Sequence, residues 1–154
     1  MNKADKTRIA KTPRTILKNF FGYERFLENQ EAIIKTVLSG QDCLVVMPTG
    51  SGKSLCYQIP AMMMDGLTVV ISPLISLMKD QVGQLQENGI TALCLNSQLD
   101  WEQYNRNIRM ISSGHVDLLY LAPETLLLDR TINLLKSIKV NCFAVDEAHC
   151  ISEW

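Results

Sequence analysis

Two stretches of the chain hold residues whose types and spacing could handle a phosphate chain. Met47-Pro48-Thr49-Gly50-Ser51-Gly52-Lys53-Ser54 follows an apolar run and precedes a helical pattern. Gly50 and Gly52 let the backbone turn so that successive N–H groups converge on one concavity, which with the following helix N-terminus favours a polyphosphate anion. Lys53 suits the β- and γ-phosphates, and the Ser54 hydroxyl suits Mg²⁺. The strict form of this pattern has glycine where this chain has Met47, so the reading rests on T-G-S-G-K-S and its setting between a strand and a helix. The second stretch is Cys142-Phe143-Ala144-Val145, which ends in Asp146-Glu147. Adjacent carboxylates repel, and a cation relieves them. Asp146 suits Mg²⁺, held through a water, and Glu147 suits the proton of a water attacking the γ-phosphate. Alone, Asp-Glu after a strand is as often a solvated strand end. Paired with the phosphate loop, it is the second half of a nucleoside triphosphatase.

Such residues need elements to hold them. Apolar runs predict strands over residues 42–47, 67–72, 91–96, 117–122 and 140–146. They lack strict alternation, as strands buried on both faces do. Helical patterns lie between them. Residues 28–39 put Ile33, Ile34, Val37 and Leu38 on one stripe and stop at Gly40. Ser72 and Pro73 read as an N-cap and first-turn proline for a helix reaching Gly89. Asp100 with Gln103 forms a capping-box pattern, and Trp101, Tyr104, Ile108 and Ile111 read as its core stripe. A last helical stretch, residues 123–138, breaks near Asp129. Strand and helix in alternation predict an α/β fold: a parallel sheet with helices on both faces and the ligand at the carboxyl ends of the strands.

The 154 residues suffice for one compact domain, and 47% apolar with 20% charged content reads as globular. No apolar run is long enough to cross a bilayer, and the polar, basic start is not a signal peptide. Cys43, Cys56, Cys94, Cys142 and Cys150 form no C-x-x-C pair and read as small buried thiols of an intracellular protein. The net charge of −1 argues against a generic nucleic-acid coat. Six basic residues against Asp5 within residues 1–18 make a basic tail, which suits either phosphate contact or a solvated terminus.

Asp146-Glu147-Ala148-His149 is a D-E-A-H box, and with T-G-S-G-K-S the chain resembles superfamily 2 helicases. Phe21-Gly22-Tyr23 with Phe26 and Gln30 resembles the stretch preceding the phosphate loop in RecQ-family DNA helicases. The blocks 44–50, 54–61, 72–82, 120–124 and 144–152 are similar to that family almost letter for letter. The resemblance covers about residues 16–154, leaving residues 1–15 as the basic tail.

The resemblance implies a P-loop nucleoside triphosphatase (RecA-like) lobe, the first ATP-binding domain of a 3′-to-5′ helicase of DNA repair and recombination. It implies that Gln30 reads the adenine edge and Tyr23 stacks on the base, with Thr49, Gly50, Ser51, Gly52, Lys53 and Ser54 around the phosphates. Lys53, Asp146 and Glu147 would be catalytic, and Ser54 and Asp146 would hold Mg²⁺. Ser72, Pro73 and Leu74 would face single-stranded or partly duplex DNA, and His149 and Trp154 would couple the DNA and ATP sites. Family members are usually basic at the position of Leu27, where the side chain helps hold the nucleotide; leucine departs from that pattern, and Arg25 is a nearby basic residue not assigned the contact. Localisation would be intracellular: cytoplasmic and nucleoid-associated in a bacterium, with no membrane partner.

The same resemblance implies a serine-alanine-threonine block after Trp154 and a second lobe with an arginine for the γ-phosphate, so the lobe is expected to be incomplete at the C-terminus and inactive or weak alone. The strand after the D-E-A-H helix would lie between the phosphate-loop strand and the acidic strand. Without it, the sheet is expected to have a gap, and the isolated chain to fold poorly or associate through the exposed edge. A nucleotide- or DNA-binding module without turnover is the alternative reading. A metabolic kinase is a third, against which the D-E-A-H box argues.

Overall fold

The structure is a computed structural model that describes residues 12–48 and 50–153, the last three by their backbone only. It divides into two compact units, residues 1–64 and 65–154.

The first unit is helical among its described residues. Thr12 and Thr15 form a capping box for α1 (Pro13–Phe21), with Pro13 in the first turn and Gly22 ending the helix at a left-handed φ of 75°. α2 (Gln30–Leu38) and α1 both pack against α3 (Leu55–Met63), burying Ile16, Leu17, Ile34 and Ile59.

The run 42–47, expected as a strand, lies in neither strand nor helix, and Leu44 and Val46 are 87% and 90% exposed. An apolar run becomes a strand only when a neighbouring strand takes its N–H and C=O groups. The first unit has no strand among its described residues, so composition alone does not make one here.

The second unit is built on a four-stranded sheet, ordered β2-β3-β1-β4 and parallel throughout: β1 (Leu67–Ile71), β2 (Ala92–Leu95), β3 (Leu118–Leu121) and β4 (Val140–Val145). Its crossovers are α4 (Ile75–Glu87), α5 (Trp101–Ser112) and, between β3 and β4, α6 (Pro123–Leu126) with α7 (Asp129–Lys136). The step from β1 to β2 runs in one direction along the sheet and the two later steps in the other. With crossovers of constant hand, α4 must take one face and α5 and α7 the opposite one. The packing agrees. Val69, Leu119, Leu121, Leu93 and Leu95 pack with Ile111 of α5 and Leu134 of α7, whereas α4 buries Met78, Val82 and Leu85 and packs against β2 and β3. Helices therefore cover both faces, as the sequence predicts, and the predicted break near Asp129 is the Leu127–Leu128 step between α6 and α7.

Two local expectations are corrected. α4 starts at Ile75 with Leu74 as its cap, not at Ser72. The Ser72 N–H donates to Leu121 O at 3.0 Å, so this residue stays with the sheet, and its buried hydroxyl has no hydrogen-bond partner. Trp101, expected in the core, is 75% exposed. It opens α5 above the point where the stripe meets the sheet, and only Tyr104, Ile108 and Ile111 reach the core.

The two sheet edges differ. On β2, the Ala92 and Cys94 carbonyls accept from Gln86 Nε2 and Asn107 Nδ2 at 2.8 and 3.2 Å, so side chains close that edge. β4 has no strand beyond it among the described residues, and it exposes Phe143 and Val145. All five cysteines are free, and Cys43, expected to be buried, is exposed. Burial pushes the Cys56 thiol up to about 11 and raises that of Cys94, so neither is a reactive thiolate at neutral pH. No described helix is long and apolar enough to cross a membrane.

Candidate nucleotide site

Each unit carries one half of the chemistry read from the sequence. In the first unit the phosphate loop enters α3 through two glycines with left-handed φ, Gly50 at 79° and Gly52 at 74°. Thr49 lies outside the described residues. The Lys53 ammonium turns back over the loop and donates to Met47 O at 3.1 Å. Ser51 Oγ donates to Pro48 O. Ser54 precedes α3 in helical conformation and makes no side-chain capping bond. Its hydroxyl is therefore not committed to the helix end.

Gln30 governs the shape of this loop. Its side chain is almost wholly buried; Oε1 accepts from the Leu27 N–H at 2.9 Å, and Nε2 donates to the Ser51 and Gly52 carbonyls at 3.0 and 3.2 Å. The expectation that Gln30 presents its amide to a base differs from this arrangement, in which both ends of the amide bond to the protein's own backbone. Sequence reasoning assigned Gln30 to the site but missed this contact, because the pairing of a helix residue with a loop carbonyl leaves no mark in residue types. Tyr23 and Leu27 are 58% and 59% exposed, available to a ligand.

The Gln30 contact also explains Gly52. A Cβ there would lie 2.5 Å from Gln30 Nε2, on a backbone already left-handed. Gly52→Ala is expected to displace the Gln30 amide and destabilise the fold by about 1–3 kcal/mol, with loss of nucleotide affinity. Thermal melts and nucleotide titration of the variant check this; an unchanged melt would count against the contact.

Beside Gln30, Glu31 is flanked by two cations, Arg14 at 2.9 Å and Lys35 at 3.2 Å. Their hydrogen bonds, Arg14's foremost, hold its carboxyl below the usual glutamate range. A depressed carboxyl contributes at neutral pH, and that contribution is lost as pH falls through the lowered value. Nothing in the chemistry motifs pointed to Arg14. The only sequence signal is a basic residue in the first turn of one helix and an acid, Glu31, in the first turn of the next.

In the second unit, the Asp146 N–H donates to Ile71 O at 2.8 Å, extending the β1–β4 pairing and setting the carboxylate at the carboxyl end of the sheet. The side chain is buried, and its Oδ1 accepts from the Glu147 N–H at 3.0 Å. Glu147 is held at φ 52°, a left-handed conformation costly for a side chain other than glycine and often kept at functional sites. Its Oε2 lies 3.4 Å from Nδ1 of the exposed His149. Leu74 is exposed and Pro73 half-buried, but the Ser72 side chain is interior, so its hydroxyl cannot face a strand of DNA. Trp154 lies outside the described residues.

No group of three or more His, Cys, Asp or Glu among the described residues could cage a metal. Within the second unit, the buried Asp146 carboxylate is of a type that suits a hard cation such as Mg²⁺, which keeps several waters and takes phosphate oxygens instead of a full protein cage.

The DEAD/DEAH box helicase family profile matches residues 27–154, taking in both the phosphate loop and the D-E-A-H stretch. The chain belongs to the DEAD/DEAH box helicase family. This helicase-family chain is 54% identical over 143 residues to the ATP-dependent DNA helicase RecQ of Haemophilus influenzae, a match covering 93% of the chain and 23% of that protein. It is 46% identical to the RecQ of Bacillus subtilis, over 92% of the chain and 24% of the relative. Against the ATP-dependent helicase wrn-1 of Caenorhabditis elegans identity is 41%, over 90% and 13%. The chain thus spans about a quarter or less of the length of these curated relatives. Among solved structures it resembles one described as a hypothetical ATP-dependent RNA helicase from Sulfolobus tokodaii. The TM-score is 0.70 at 20% identity, over 94% of this chain and 43% of that one. That likeness shows the fold alone, the RecA-like fold of a helicase lobe.

Proposed function

We propose that the chain is the ATP-binding part of the first motor lobe of an ATP-dependent DNA helicase of the RecQ type, moving 3′ to 5′ on single-stranded or partly duplex DNA. The observation that carries this reading is the 54% identity to RecQ over 143 residues, which takes in both the phosphate loop and the D-E-A-H box. Lys53 leaves its bond to Met47 O to meet the β- and γ-phosphates, while N–H groups of Gly50 to Ser54 line the same concavity. Tyr23 offers a ring to the base, and the Gln30 amide, now on the loop carbonyls, is the group that reads its edge. Ser54 and Asp146 would hold Mg²⁺, which would supply screening of the phosphate charge. Glu147 takes the proton of the attacking water, and its contact with His149 orients the carboxylate. No side chain caps α4, so its first-turn N–H groups beside Leu74 suit a DNA phosphate.

A second reading, nucleotide binding without turnover by the 154-residue chain, is favoured by the exposed run 42–47, which leaves the phosphate loop without a strand behind it. Measuring ATP binding and ATP hydrolysis with and without single-stranded DNA on one sample separates the two. Hydrolysis that rises with DNA supports the motor reading. Binding that depends on Lys53 without hydrolysis supports the module. Absence of both contradicts each.

A further inference from the structure

Residues 22–29, which carry Tyr23 and Leu27, leave α1 at Gly22 and enter α2 through Asn29, a second left-handed residue at φ 69°. Such turns fix each end of the loop locally, but its width depends on how α1 and α2 are held together. Beyond their shared packing against α3, one side-chain bond joins the two helices and a second ties the loop to α1. Arg14 Nη2 donates to Glu31 Oε2 at 2.9 Å, joining residues 17 apart in sequence and closing the whole excursion. Lys18 Nζ donates to Glu24 Oε2 at 3.0 Å and ties the last turn of α1 to the loop. Glu31 adjoins Gln30 in the first turn of α2, and its other oxygen is taken by Lys35 at 3.2 Å. The carboxylate thus has one oxygen on α1 and one on its own helix. That fixes the rotation of the turn from which Gln30 reaches Leu27, Ser51 and Gly52.

From this geometry we infer that Arg14 is a positioning residue for base recognition. Through Glu31 it holds the first turn of α2, from which the Gln30 amide turns off the loop carbonyls to a purine, and the Tyr23 loop beside it. The inference rests on the proposed nucleotide role of Tyr23 and Gln30. The Arg14 guanidinium is engaged by Glu31, so its loss acts on the part of the affinity that depends on the base.

The test compares the affinities of ATP and inorganic tripolyphosphate, each by displacement of a fluorescent ATP analogue, for the 154-residue chain and for Arg14→Ala, Arg14→Lys and Tyr23→Ala. In Arg14→Ala the ATP affinity is expected to fall about threefold at low salt, the scale of an exposed ion pair. Tripolyphosphate affinity stays unchanged, and Arg14→Lys keeps most of the ATP affinity. Near 1 M salt, where the screening length is about 3 Å, the difference between Arg14→Ala and the unmodified chain disappears. Equal losses for ATP and tripolyphosphate would mean general loosening and overturn the inference. So would an Arg14→Ala variant with unaltered ATP affinity while Tyr23→Ala loses it. If Tyr23→Ala leaves the preference for ATP over tripolyphosphate intact, the base-site reading itself fails and this inference falls with it.

Discussion

In Glu147→Gln, ATP hydrolysis is expected to fall by about 10²- to 10⁴-fold while nucleotide binding persists, the range that general base catalysis supplies. The amide keeps the size and shape of the carboxyl but cannot accept the proton of the attacking water. The fold gives the residue a constrained place for this role. Asp146 continues the pairing of β4 with β1, its carboxylate takes the Glu147 N–H, and the chain turns at Glu147 through a left-handed φ of 52°. A strand end that merely met solvent would not require that conformation. The check is steady-state hydrolysis beside equilibrium binding, on the 154-residue chain or a longer protein containing it. Loss of both together would indicate that Glu147 shapes the turn instead of handling a proton.

Lys53→Ala is expected to do the reverse, removing nucleotide affinity before chemistry is reached. A hydrogen bond between charged groups is worth about 1.5–3 kcal/mol, so its loss lowers ATP affinity by roughly 10- to 100-fold. The ammonium here reaches back to Met47 O at 3.1 Å, so it also spans the loop when no phosphate is present. The variant therefore loses both an anion partner and a tie across the loop. Titration with ATP checks the first, and a thermal melt on the same sample separates it from the second: the affinity falls while the fold persists.

Much of the second unit was legible in the sequence because its strands are short apolar runs, of which β1, β2 and β3 are buried on both faces and β4 forms the partly exposed edge. β1 and β4 begin where the runs predict and end one residue short; β2 and β3 are each one residue shorter at both ends. The capping box at Asp100 and Gln103 was legible for the same local reason, since both of its bonds lie within one turn. The misses are non-local. The run 42–47 has strand composition but no strand partner. Ser72 has the residue type of a cap, yet its N–H is claimed by Leu121. Trp101 sits on the right stripe, one turn above the sheet. At the site, Lys53, Ser54, Asp146 and Glu147 could be named from type and spacing. The hold of Gln30 on the loop carbonyls and of Arg14 on Glu31 could not, because each joins segments whose approach only the fold determines.

The most direct measurement of the central claim, that this lobe binds ATP through its phosphate loop, is an equilibrium titration of the 154-residue chain with ATP in Mg²⁺. A circular-dichroism melt should confirm that the sample is folded. The account expects saturable binding, stronger for ATP than for inorganic tripolyphosphate and lost in Lys53→Ala. A folded sample that shows no saturable binding, or binds equally well without Lys53, would contradict it.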